Sequence, residues 1–173
     1  MASKKPSAPS KTAALLPTLN DIPAETRAKS IALLNGVLAT LSDLYLQSKQ
    51  AHWNVRGPSF IALHELFDTV ADSAEEDIDD IAERIVQLGG VANGTVRAAA
   101  AGSALSEFPT ETAGDSPLAF ATALAKQFAV AAKQVRAGID AASGFGDADT
   151  ADLLTGTSRA LDKALWFLEA HNR

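Results

Sequence analysis

The chain has 173 residues, enough for one domain with a substantial core. Apolar residues make up 47% of it and aromatic residues only 6%, so Ala and Leu supply the bulk, which favours helices over sheets. There is no cysteine, which excludes disulfides and thiolate metal sites, and a net charge of −6 argues against a surface that binds nucleic acid throughout.

The sole methionine is Met1, so the core holds no oxidisable sulfur and should tolerate peroxide, although compositional drift explains this more simply. No apolar run approaches the roughly 20 residues needed to span a bilayer and no signal-peptide pattern opens the chain, so a soluble intracellular protein is expected.

Residues 1–16 carry Lys4, Lys5 and Lys11 with no acid, broken by Pro6 and Pro9, and read as a disordered basic tail. Such a tail either tethers phosphate backbone or merely solubilises the N-terminus. Residues 1–25 are thus tail and lead-in, and residues 26–173 a single helical domain.

From Thr26 to about Asn54, Ile31, Leu34, Leu38, Leu41 and Tyr45 recur at helical steps. Gly57-Pro58 ends that helix, and Ser59 is placed to cap the next. There Leu63, Phe67, Val70, Ala74, Ile78, Ile81, Ile85 and Leu88 form an unbroken stripe that Gly89-Gly90 stops. The connection over 91–115 is rich in Ala, Gly and Ser, with a short helix expected at Thr95–Ala101. Ser116-Pro117 opens a third long helix carrying Phe120, Leu124, Phe128, Ala131, Val135 and Ile139. Ser143–Gly146 breaks it, and Asp147, Asp149 or Thr150 starts a fourth, lined by Leu154, Leu161, Leu165 and Leu168. The pattern predicts an all-α four-helix bundle whose long middle connection lets the second and third long helices run parallel.

The second helix carries two pairs of possible metal ligands, His64 with Asp68 and Asp79 with Glu83, each four residues apart and so on one face. Imidazole with carboxylate suits Fe(II), Zn or Mn. Eleven residues separate Asp68 from Asp79, so the pairs lie about 16 Å apart along the axis and cannot share an ion within one helix. Packed antiparallel on a second copy, the helix would bring the His64/Asp68 end of one chain to the Asp79/Glu83 end of the other, twice per dimer. A tight turn at Gly57 adds His52 to the first end. The plainer alternative is a solvated polar face.

The run Lys49-Gln50-Ala51-His52-Trp53-Asn54-Val55-Arg56-Gly57 resembles the signature of the Dps family, the ferritin-like DNA-protection proteins of starved bacteria. Phe60, His64, Glu65, Asp68, Asp79, Glu83-Arg84 and Gln87–Gly90 continue the likeness, as do Thr150–Asp152, Ser158-Arg159 and Leu161–Phe167. The resemblance covers about residues 28 to 169. It implies a ferritin-like bundle in a homododecameric shell of the bacterial cytoplasm, associated with the nucleoid. The shell oxidises Fe(II), preferably with hydrogen peroxide over dioxygen, and stores the ferric product. It further implies dinuclear iron sites at two-fold interfaces, with His52, His64 and Asp68 from one subunit and Asp79 and Glu83 from its neighbour.

Other residues carry open alternatives. Trp53 either traps stray oxidising equivalents beside the centre or anchors a dimer contact. Asp72, Glu75, Glu76 and Asp80 either nucleate mineral or form a solvated face. Asp152 and Asp162 match positions that the resemblance associates with acidic three-fold pores admitting iron, unless Asp162 pairs with a basic neighbour. The acidic body of a shell would repel DNA, leaving Lys4, Lys5 and Lys11 on many tails to hold it non-specifically. The competing function is a DNA-compacting structural protein with an incidental metal site.

Overall fold

The computed structural model describes residues 15–110 and 116–171; Lys4, Lys5 and Lys11 lie outside them, as does part of the 91–115 connection. The described residues form five helices and no strand: α1 (Ala24–Asn54), α2 (Phe60–Gln87), α3 (Val96–Gly102), α4 (Pro117–Phe145) and α5 (Ala148–Ala170). The short α3 lies inside the long connection, capped by the Thr95 hydroxyl, which accepts from the Ala98 amide.

Helix α1 begins at Ala24 rather than at Thr26. Pro23 supplies the first accepting carbonyl, bonded by the Arg27 amide at 3.0 Å, while the Thr26 hydroxyl is used elsewhere, donating to the Phe145 carbonyl at 3.1 Å. Ser59 stands at the N-cap position of α2 but its side chain makes no capping bond. Its backbone, at φ −102 and ψ 20, belongs to a turn closed by the Phe60 amide on the Gly57 carbonyl at 3.0 Å.

Helix α2 stops for a backbone reason. Gly89 takes φ +83, its amide bonds to Val86 and the Gly90 amide to Ile85, a paired closure that satisfies the last carbonyls. A Cβ on Gly89 would lie 2.7 Å from the Leu16 carbonyl oxygen, because the lead-in strand of chain crosses here, with the Leu16 amide on the Gly89 carbonyl at 2.9 Å. Arg27 fastens the crossing, donating to Leu88 and Ile22 carbonyls at 3.0 Å each.

Contacts between helices fix the topology. Arg27 meets Leu88 at one end of the α1–α2 hairpin and His52 meets His64 at the other, so that pair is antiparallel. Thr26 reaches Phe145 and Gly36 faces Gln134, making α1 antiparallel to α4 as well. Helices α2 and α4 therefore run parallel, the arrangement that a long crossover permits. Arg84 reaches Thr150 and Asp77 reaches Thr157, setting α5 antiparallel to α2. The four long helices enclose one core of Leu34, Leu38, Leu41, Phe67, Ile81, Ile85, Phe120, Leu124, Phe128 and Leu154, all essentially without exposure.

Asp147 joins three of these helices. Its amide closes the end of α4 on the Ala142 carbonyl, and its carboxylate caps α5 by accepting from the Thr150 amide and hydroxyl at 3.1 and 2.7 Å. Arg84 of α2 pairs with it at 2.8 Å. Burial works against its charge, but the Ser30 hydroxyl close by, the hydrogen bonds from Thr150 and the Arg84 guanidinium outweigh that and hold the carboxyl below its usual range.

Candidate metal centre

The α1–α2 turn brings His52 and His64 together with their rings stacked, centroids 3.7 Å apart. Each ring reaches the other residue's backbone: His52 Nδ1 lies 2.8 Å from the His64 carbonyl oxygen, and His64 Nδ1 lies 2.9 Å from the His52 carbonyl oxygen. A carbonyl only accepts, so each Nδ1 carries the hydrogen and donates. In the neutral imidazole this leaves both Nε2 lone pairs free, the state in which a histidine binds a metal. Phe60 flanks the pair, its ring centroid 4.9 Å from that of His64.

Asp68, one turn beyond His64, is half-exposed and pairs with Lys49. The Lys49 hydrogen bond, against a smaller opposing effect of burial, holds the Asp68 carboxyl below its ordinary value, and Asp68 raises Lys49 in turn. His52 Nδ1 is 3.8 Å from Asp68. One chain thus sets His52, His64 and Asp68 near one another at the hairpin end, with Lys49 as the cation on Asp68.

Asp79 and Glu83 lie three turns further along α2 and are exposed. Neither bonds to any other described side chain. Among the described residues no three His, Cys, Asp or Glu side chains converge closely enough to hold an ion. The chain presents two separate groups of candidate ligands on one face.

The acidic residues around them divide between faces. At 100° per residue, Asp72 and Glu75 fall on the ligand side of α2, whereas Glu76 and Asp80 fall toward the flank on which Asp77 meets Thr157 of α5. Trp53 is exposed just past His52. Asp162 pairs with Arg136 at 2.8 Å, and Asp152 is exposed on the same helix without such a pair. Sequence reasoning quoted Lys49 within the signature without giving it a task. A lysine three residues before a ligand histidine on a helix shares its face, and that was the available signal. It also overlooked Asp77, half-buried against α5 and raised by that burial despite the bond from Thr157.

Residues 31–173 match the model of the ferritin-like domain family. The chain is 44% identical over 154 residues to a DNA protection during starvation protein of Agrobacterium fabrum, covering 89% of this chain and 94% of that one. A protein of the same name from Mycolicibacterium smegmatis is 32% identical over 161 residues, or 92% of this chain and 84% of the relative. The structure of DpsA14 from Streptomyces coelicolor superposes with a TM-score of 0.83 at 38% identity, covering 91% of this chain and 93% of that one. Among the described residues no helix is long and apolar enough to cross a membrane. The chain belongs to the ferritin-like domain family and, within it, to the Dps family.

Proposed function

We propose that this chain is the subunit of a dodecameric iron-storing ferroxidase, with each reaction site shared by two chains. The observation that carries this reading is the crossed histidine pair, whose Nδ1 atoms are committed to backbone carbonyls and whose Nε2 atoms are left for a metal, at the Asp68 end of the face of α2 on which Asp79 and Glu83 are exposed. Ferritin-like membership supports iron storage in general, and the names of the Dps relatives support DNA protection in general.

Fe(II) is the substrate. His52, His64 and Asp68 of one chain and Asp79 and Glu83 of its neighbour would hold two ions side by side, with Asp68 or Glu83 as the bridge. Lys49 has to yield Asp68 as metal enters. Each Fe(II) gives up one electron, and peroxide takes both, with two protons from solvent, as its O–O bond breaks, so two waters form and no hydroxyl radical is released. The protein keeps two metals adjacent with coordination positions open to the oxidant. Ferric product would collect in the shell. Lys4, Lys5 and Lys11 on the many tails would hold DNA non-specifically through its phosphates, with steep salt dependence.

The test is peroxide-driven Fe(II) oxidation by a chain carrying both His52→Ala and His64→Ala. Slow oxidation with an intact shell is the expected result, and an unchanged initial rate sinks the site. Sizing tests the sharing, since a stable monomer with full activity is incompatible with it.

A further inference from the structure

The pairing of half-sites fixes a register. An axis that sets His64 against Glu83 and Asp68 against Asp79 must pass between Ser73 and Ala74, since each pair lies equally far from that point. The same axis sets Ile61 against Val86. Both are exposed, at 61% and 56%, and both lie on the ligand side of α2. Beside Val86 is a cavity of about 480 Å³ lined by Ala82, Glu83, Val86, Gln87 and Ala92. Its far wall is held by Asn35, which bonds to the Val91 carbonyl at 3.2 Å and accepts from the Asn93 amide at 2.9 Å.

Between the two ends, the face offers little adhesion. The register brings Asp72 opposite Glu75 at the axis, both exposed, with Asp68, Asp79 and Glu83 beyond them. Until metal enters, the middle of this contact is a band of like charge, offset among the described residues of each chain by Lys49 on Asp68. Any attraction before metal has to come from the ends.

We propose that Ile61 of each chain seats in the Ala82–Val86–Ala92 cavity of a second copy, so that two apolar locks close the dimer and set the register in which the shared iron site forms. This rests on the shared-site reading above and adds to it the residues that hold the two chains together. The occupant is a second copy because the positions that complete the metal ligands and those that fill the cavity obey one axis.

Because the chain has no cysteine, the register can be read by cross-linking. Full-length chain carrying both Ile61→Cys and Val86→Cys, iron-free, is treated with a short bis-maleimide. The double variant should give a covalent dimer, and each single variant none, since two copies of position 61 would lie about 37 Å apart along the helix axis. A shell of normal size in which both cysteines react singly with maleimide, yet no dimer is linked, overturns the proposal. Should the double-cysteine chain fail to assemble, a charge pair decides. Ile61→Lys and Val86→Glu should each dissociate the iron-free shell, and together restore it; no restoration counts against the register. A cross-linked dimer whose His52→Ala/His64→Ala form still oxidises iron normally would remove the metal reading and leave the interface standing. Absent cross-linking in a shell whose ligand variants are inactive would do the reverse.

Discussion

The two polar flanks of α2 are finished in different ways. Toward α5, Arg84 meets Asp147 and Thr150, and Asp77 accepts from Thr157, so the charges that touch α5 are answered within the chain. On the other flank the histidines are oriented and Asp68 is held, yet Asp79 and Glu83 stand exposed without partners among the described side chains. Polar groups satisfied inside a chain serve its stability, while a chelating set left divided calls for a second chain. Substitutions on the first flank should therefore change folding stability and spare chemistry, and those on the second should do the opposite.

The sharpest test of that division mixes two inactive chains. His64→Ala/Asp68→Ala removes one half-site and Asp79→Ala/Glu83→Ala the other, and each shell alone should lose nearly all centre-dependent iron oxidation. Co-assembled at random, they should recover about a quarter of the wild-type rate, since half the dimers are mixed and one of their two sites is whole. No recovery, measured on shells of confirmed mixed composition, would place each site within one chain.

On the closed flank, Asp147→Ala leaves the part-buried Arg84 with only the more distant Asp149, at 3.9 Å, and α5 without its cap. A loss of about 3–5 kcal/mol is expected for breaking such a pair, read by chemical denaturation. The folded fraction should keep its iron oxidation rate. Gly89→Ala places a Cβ against the Leu16 carbonyl at a left-handed φ and should cost about 1–2 kcal/mol by the same measurement.

Acid should separate two carboxylates of the α2–α5 seam. Asp147 ionises more readily folded than unfolded, so its contribution is complete above the ordinary carboxylate value and lost as pH falls through its lowered one. Asp77 is raised by burial, so it weighs against the fold above its raised value and is relieved as pH falls. Asp77→Asn should therefore stabilise the neutral protein, by under about 1 kcal/mol, and leave the acid limb due to Asp147 in place. Smallest of all should be the effect of deleting residues 2–12 on iron oxidation, while DNA retardation in a mobility-shift assay should disappear.

The helices were legible because their apolar positions repeat without interruption, as in Leu63–Phe67–Val70–Ala74, and because glycine pairs end them. Eleven residues between Asp68 and Asp79 were enough to place the two candidate pairs about three turns apart on α2, since helix rise is nearly constant. Start positions were harder to read. Thr26 looks like an opening residue until its hydroxyl is found on Phe145, and Ser59 looks like a cap until its backbone is seen to be part of a turn. The second outcome is settled by the local turn from Gly57 to Phe60, but the first depends on a neighbour far off in sequence. The same holds for Asp147 and Arg84, 63 residues apart, which no local pattern connects. Lys49 was in plain view, but its position against Asp68 is a fact of hairpin closure.

The crossed bonds between His52 and His64 have one more consequence. Each residue supplies the backbone oxygen that orients the other's ring, and the rings also support each other face to face. Replacing one removes a ring that braced its partner, so the survivor is freer to turn its lone pair away. Thermodynamically the two then behave as one bidentate ligand, and the costs of the single alanine variants should sum to more than the cost of the double. The same interlock spans the hairpin end. Fraying of the last turn of α1 would misalign both imidazoles at once, so on the proposed reading iron should meet a complete histidine pair or none.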